Sequence, residues 1–167
     1  MIDMIISGGQ SGADLLAIDW AIKNNIKCEI NVEKNYVPLN NGIIPVGVPI
    51  NVVSNKRGYS GGRVEKRRHN IIKSDLILIF VRKNIYETKG SLGTMTDCKR
   101  FNKPFSYIKL SDVDSIDVGI VIGLLEEHDV KTLNITGERT LNDIQKSKMV
   151  RFLNMVILEQ HITNFED

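Results

Sequence analysis

Short apolar runs alternate with amphipathic stretches along the chain. Residues 2–7 form a β-branched run that stops at Gly8 and Gly9, the mark of a buried strand. Residues 13–24 carry Leu15, Leu16, Ile18, Ala21 and Ile22 at helical spacing, with Asp14 near the start where a carboxylate complements the helix dipole. A second short strand is read at 28–32. Residues 33–62 keep no period and hold three of the four prolines, so a long irregular segment is expected, and segments of that kind are often functional. A basic helix follows at 62–74. Residues 75–81 (DLILIFV) give the strongest strand pattern, unbroken enough to suit a parallel strand covered on both faces. After a loop at 82–90 comes a helix starting between Ser91 and Thr94. Then follow a strand at 105–110, a helix at 113–127 with Val118, Ile122 and Leu125 on one face, and a strand at 131–135. The closing helix at 141–160 would lay Leu141, Ile144, Phe152, Leu153, Val156 and Ile157 on a sheet. This alternation predicts one α/β domain over residues 1–167, a sandwich around a mainly parallel sheet.

Composition narrows the class. At 167 residues with 42% hydrophobic side chains, the chain can bury about two-thirds of its unfolded surface in one core. Folding therefore needs neither metal nor disulfides. The two cysteines, Cys28 and Cys98, make no ligand quartet, and no metal site is expected. No apolar stretch approaches the roughly 18–20 residues that span a bilayer, and the N-terminus lacks the pattern of a signal peptide. A cytoplasmic protein without membrane attachment is expected. The net charge of +2 hides a cluster: between Ser54 and Lys73 stand Lys56, Arg57, Arg63, Lys66, Arg67, Arg68 and Lys73 against the single acid Glu65. Such a cluster is either a solvated helix face or an anion site.

Three glycine-bearing turns follow three strands, and they favour the anion site. The first is Ser7, Gly8, Gly9, Gln10, Ser11, Gly12, Ala13 and Asp14, with the spacing of neither a dinucleotide fingerprint nor a P-loop. The second is Gly90, Ser91, Leu92, Gly93, Thr94, Met95, Thr96 and Asp97. There the Gly93 and Thr94 amides and the Thr94 hydroxyl are read as phosphate donors. Asp97 is read as a carboxylate able to face a ribose, or else as a helix-start acid stabilised by the dipole. The third is Asn134, Ile135, Thr136, Gly137, Glu138 and Arg139. In a parallel sheet all three meet at one edge, where ligands bind. The start of the basic helix lies near the same edge, which makes Arg63, Lys66 and Arg67 anion contacts and leaves Arg68 and Lys73 solvated. His69 reads as a surface or packing residue and Trp20 as core or dimer interface. Cys98 stands near a helix start, where a thiol pKa can fall, but without a neighbouring His motif it reads as packing.

The run from Ile5 to Ile22 (IISGGQSGADLLAIDWAI) resembles the signature of the putative molybdenum-carrier family. That family is a branch of the Rossmann-like SLOG superfamily, which also holds the lysine-decarboxylase-like phosphoribohydrolases and the DNA-processing protein A fold. The likeness continues through Lys34, Asn41 to Pro45, Tyr59, Asn70 to Ile79, Gly90 to Asp97 and Leu133 to Arg139. It implies a Rossmann-like three-layer sandwich with a site for a phosphorylated nucleotide or a pterin or molybdopterin-type cofactor. It also implies a homodimer. The enzyme relatives use PGGxGTxxE with an arginine on the preceding helix to cleave nucleoside 5′-monophosphates. Here Gly90, Gly93 and Thr94 match, Ser91 replaces a glycine, Lys89 replaces the proline, and Asp97 stands for the glutamate. The arginine falls at Lys66 or Arg67. In the carrier-like branch an acidic residue before Gly42 is here Asn41, and an arginine of the long segment is Tyr36.

The favoured reading is binding of a small phosphorylated ligand by Gly8, Gly9, Gln10, Ser11, Gly12, Asp14, Lys66, Gly90, Ser91, Gly93, Thr94, Asn134, Gly137 and Arg139. The alternative is a phosphoribohydrolase with Asp97 and Arg67 as catalytic groups. DNA binding comes third, because the net charge is modest and no aromatics interleave the basic residues.

Overall fold

The computed structural model describes residues 1–36, 42–56 and 61–163. Asn41, Arg57 and Tyr59 lie outside that set. The elements run β1 (Met4–Ser7), α1 (Ala13–Lys23), β2 (Lys27–Glu33), β3 (Ile50–Ser54), α2 (Gly62–Lys73), β4 (Leu76–Val81), a 3-10 turn (Ile85–Glu87), α3 (Lys89–Arg100), β5 (Phe105–Lys109), α4 (Ser115–Glu127), β6 (Thr132–Gly137) and α5 (Asp143–Thr163). The strands form one sheet in the order β3-β2-β1-β6-β4-β5. Every pairing in it is parallel. The Rossmann-like three-layer sandwich expected from the sequence is present.

Counted from β4 as the first strand, the same sheet reads 2-1-3-4-5-6, the order of a flavodoxin-like fold with a strand added at one edge. The chain is thus a circular permutation of a doubly wound sheet.

Helices α1, α4 and α5 cover one face, where Ile5, Ile30, Leu78, Phe80, Leu133 and Ile135 meet Ile18, Val121, Phe152 and Leu153. On this side Trp20 is core, with its Nε1 donating to Asn154 Oδ1 at 2.8 Å. On the other face Ile77, Ile79 and Val81 of β4 pack with Ile71, Met95 and Cys98 of α2 and α3. β4 is therefore buried on both faces, as its composition predicts. β2 divides its side chains: Ile30 and Val32 join the apolar core, while Asn31 on the other face meets α2 through Asn70.

Three features differ from expectation. The segment read as irregular contains β3, an edge strand with Ile50 and Val52 49% and 61% exposed, so its pattern lacks the buried stripe that marks inner strands. The helix expected from about Ser91 starts at Lys89, because the Thr88 side chain caps it by accepting from Ser91 N. Ile144 is exposed instead of packing on the sheet.

Candidate functional site

The turns after β1 and β6 and the start of α3 meet beyond the carboxyl ends of the strands. With one face of α2 they enclose a cavity of about 90 Å³ lined by Gly8, Gln10, Asp14, Arg63, Lys66, Arg67, Asn70, Gly90, Ser91, Thr94, Asn134, Thr136, Gly137 and Arg139. A neighbouring cavity of about 300 Å³ shares Gly90, Gly137 and Arg139 and adds Arg82, Thr88, Lys89, Glu138 and Thr140. The location is the switch point of the sheet, where connections leave in opposite directions and a crevice opens.

The turn after β1 is tied internally. Ser7 Oγ donates to the Asp14 carbonyl at 3.1 Å, Gly9 N donates to Ser7 Oγ at 3.3 Å, and Gln10 N donates to Asp14 Oδ2 at 3.3 Å. The Gly9 and Gln10 amides are therefore spent within the turn. Gly12 has φ +82°, and a Cβ there would lie 2.1 Å from the Glu138 carbonyl oxygen. Ala13 N donates to that same oxygen at 2.9 Å. Only glycine allows this approach, and it locks the β1 turn to the β6 turn.

The start of α3 corrects the expected phosphate loop. Gly90, Ser91 and Gly93 lie inside the helix, so the amides of Gly93 and Thr94 fall past the first four and donate within it. The Thr94 hydroxyl donates to the Gly90 carbonyl at 3.1 Å. Gly93 acts by lacking a side chain, since a Cβ there would lie 2.8 Å from Arg67 Nη1.

Asp97 is corrected as well. It is 3% exposed, and it is absent from the cavity lining. Arg67 Nη2 and Nε lie 2.6 and 2.8 Å from its Oδ2, and Arg68 Nε lies 3.2 Å from its Oδ1. Both oxygens are occupied, so the carboxylate positions Arg67 and does not face the crevice. Arg68 and Lys73, expected to be solvated, keep side chains 38% and 45% exposed and also form ion pairs, with Lys73 Nζ 2.6 Å from Glu29 Oε1. Beside Asp97 the Cys98 thiol is buried in the apolar cluster under α2 and α3, and burial first and the Asp97 charge second push it up to about 12.

Lys66 is the most enclosed cation of the site. Its Nζ lies 3.3 Å from Glu33 Oε2 and donates to the Gly8 carbonyl at 3.2 Å. It also sits 5.8 Å from the centre of the Tyr36 ring. The Tyr36 hydroxyl donates to the Gly9 carbonyl. Burial, with the charges of Asp14 and Glu33, pushes that hydroxyl well above its ordinary value.

Of the residues expected from sequence, Gly8, Gln10, Asp14, Lys66, Arg67, Gly90, Ser91, Thr94, Asn134, Gly137 and Arg139 share the cavity, and Arg63, read as an anion contact, joins them. Gly9, Ser11, Gly12, Gly93 and Asp97 are not among its lining residues. Sequence reasoning missed Asn70 and Thr136 as lining. The spacing of Arg63, Lys66, Arg67 and Asn70 places all four on one side of a helix, and that was the available signal for Asn70. Among the described residues no group of three or more His, Cys, Asp or Glu could hold a metal ion, and no helix is long and apolar enough to cross a membrane.

A doubly wound parallel sheet with a cationic crevice at its switch point defines a Rossmann-like ligand-binding architecture. Within that class the chain belongs to the circularly permutated YpsA SLOG family, whose model matches residues 5–157, in accord with the permuted strand order. Among solved structures it is similar to the putative molybdenum carrier protein of Syntrophus aciditrophicus SB, with a TM-score of 0.78 and 27% identity over 93% of this chain and 94% of that one. A comparison with curated proteins found no match.

Proposed function

We propose that this protein binds a phosphorylated nucleotide or a nucleotide-like cofactor, the pterin type included, with the anionic end in the smaller cavity. The observation that carries the reading is the convergence of Arg63, Lys66, Arg67 and Arg139 on one crevice at the sheet edge. Side chains, more than loop amides, supply the donors. Arginine and lysine both suit an enclosed anion. The guanidinium offers several N–H groups in one plane, and a buried ammonium gains electrostatic strength where water is excluded. The adjoining cavity of about 300 Å³ gives room for the rest of a ligand larger than an oxyanion.

The experiment is a melting-temperature screen with AMP, GMP, CMP and a phosphorylated pterin, followed by calorimetry on any compound that shifts the transition. Lys66→Met and Arg139→Gln should each weaken the binding compound by about tenfold or more, the scale of a charge-assisted hydrogen bond lost from an enclosed site. A wild-type protein whose melting responds to none of these compounds removes the proposal. Cleavage of the N-glycosidic bond is not part of it, because both oxygens of the candidate acid Asp97 are committed to arginines. Incubation with the three monophosphates should release no free base. The proposal includes one domain over the whole chain, a homodimer, checked by sedimentation, and a cytoplasmic location.

A further inference from the structure

The cavity holds more than cations. Asp14, at the start of α1, also lines it and is buried. A bare oxyanion beside a carboxylate meets repulsion, and the burial of Asp14 leaves little water to screen it. Asp14 ties the β1 turn by accepting from the Gln10 amide, yet it also lines the cavity, where a phosphate alone would give its charge nothing to bind. Two further observations point the same way. Gln10 and Asn134 line the cavity and are 7% and 2% exposed. Each carries a buried side-chain oxygen, Gln10 Oε1 and Asn134 Oδ1, with no hydrogen-bond partner among the described residues. Buried acceptors left unpaired by the protein are costly and few in native proteins, and each is met by a donor from water or from a ligand that displaces it. Gln10 precedes α1 and Asn134 lies within β6, so the unspent acceptors come from two separate elements around Asp14.

The donor they await is neutral. Lys66 of α2 and Arg139 beyond β6 already face Asp14 with positive charge, and Thr136 and the Gln10 amide hydrogen-bond it. An added ammonium would meet those cations, whereas a hydroxyl would not. A hydroxyl also suits either state of the acid, donating to a carboxylate or accepting from a carboxyl. This fits the environment of Asp14, whose proton affinity burial raises against the pull of Lys66.

Resting on the anion-binding reading above, we infer that the ligand carries a hydroxyl beside its anionic group and that Asp14, with Gln10 and Asn134, reads it. The ligand class is a phosphate ester of a polyhydroxyl compound, either a free sugar phosphate or the ribose phosphate end of a nucleotide. The structure thereby gives Asp14 the hydroxyl-reading part that the sequence resemblance gives Asp97.

Calorimetry with methyl phosphate, ribose 5-phosphate and AMP tests this on the full chain. Methyl phosphate offers the anion without a hydroxyl. Ribose 5-phosphate should bind the wild type about tenfold or more tightly than methyl phosphate, as expected for hydrogen bonds to a charged group. In Asp14→Asn that advantage should shrink to about threefold or less, while methyl phosphate binds at least as well because one negative charge has gone. Equal binding of methyl phosphate and ribose 5-phosphate by the wild type overturns the inference and leaves the anion site standing. An unchanged preference in a folded Asp14→Asn, judged by its circular dichroism and melting, also overturns it. Failure of all three compounds to bind the wild type overturns both readings. AMP binding more tightly than ribose 5-phosphate assigns the source to a nucleotide, and equal binding to a sugar phosphate; each supports the inference. The wild-type comparison decides the matter even if the variant does not fold.

Discussion

Helices α1 and α2 both border the crevice, yet they are attached by opposite means. α1 buries Ala13, Leu15, Ala17, Ile18, Trp20 and Ala21, and its hold on the sheet is hydrophobic contact. α2 buries Gly62, Lys66, Asn70 and Ile71, only one of them a large apolar side chain. Its place is set by charge: Arg63 and Lys66 to Glu33, Lys73 to Glu29, Arg67 and Arg68 to Asp97, Glu65 to Lys56. An Asn51–Asn31–Asn70 hydrogen-bond chain runs beneath it. Apolar packing has no charge to screen or titrate, whereas ion pairs near the surface weaken with salt and respond to pH. The site thus combines a fixed wall carrying Asp14 with a wall of cations whose seating depends on solution conditions.

The largest expected effect is on the enclosed pair of the cationic wall. Glu33→Gln strands Lys66 and should cost about 3–5 kcal/mol, the scale for breaking a buried ion pair, read from denaturant unfolding. Removing that carboxylate should also tighten methyl phosphate binding in whatever fraction stays folded. Ile18→Ala, on the apolar wall, should cost about 2–5 kcal/mol with no change in anion affinity. Equal shifts in affinity from both variants would erase the contrast between the walls.

The pH response comes next. Burial, opposed by Lys66, the Gln10 amide, Thr136 and Arg139, raises the Asp14 carboxyl above its ordinary value of 3.8. A folded pKa above the unfolded one means that the proton favours folding. That contribution is complete below the unfolded value and is lost as pH rises through the raised folded value. Asp14→Asn should therefore melt higher than the wild type near neutral pH, with the gain disappearing toward about pH 4. The smallest effect belongs to Lys73, which is half-exposed. Burial pushes Glu29 up, but hydrogen bonds from Lys73 and Asn31 outweigh it and hold the carboxyl below its ordinary value. Lys73→Ala should cost no more than about 1 kcal/mol. That loss should fade as pH falls through the lowered folded pKa of Glu29, and it should shrink in molar salt.

Much of the frame was legible because it rests on local pattern. The apolar run of β4, the spacing of Leu15, Ile18 and Ala21 and the β-branched start of the chain each predict an element that the structure contains. β3 escaped because an edge strand keeps Ile50 and Val52 outside. Its residues also fall within a segment rich in proline and asparagine. The first turn of α3 escaped because two glycines in four residues imitate a loop, and only the Thr88 cap reveals the helix start. In the site, the meeting of the three turns followed from parallel topology. The partners of Asp97 did not, since Arg67 and Arg68 stand 30 and 29 positions upstream. No local spacing shows whether a carboxylate is already neutralised. Asp14 was legible both as a helix-start acid and as a binding residue, and its burial in the crevice wall agrees with the second reading.

The permuted strand order bears on α2 in one more way. The chain builds β1, β2 and β3 on one side of the switch point before it returns to build β4, β5 and β6, and α2 is the span that joins the two sets. In the unpermuted order that junction would be a chain end. Here the covalent thread between the halves runs through Lys66 and Arg67, the residues proposed above to meet the anion, so a ligand held there would also grip the seam along which this topology was cut and rejoined.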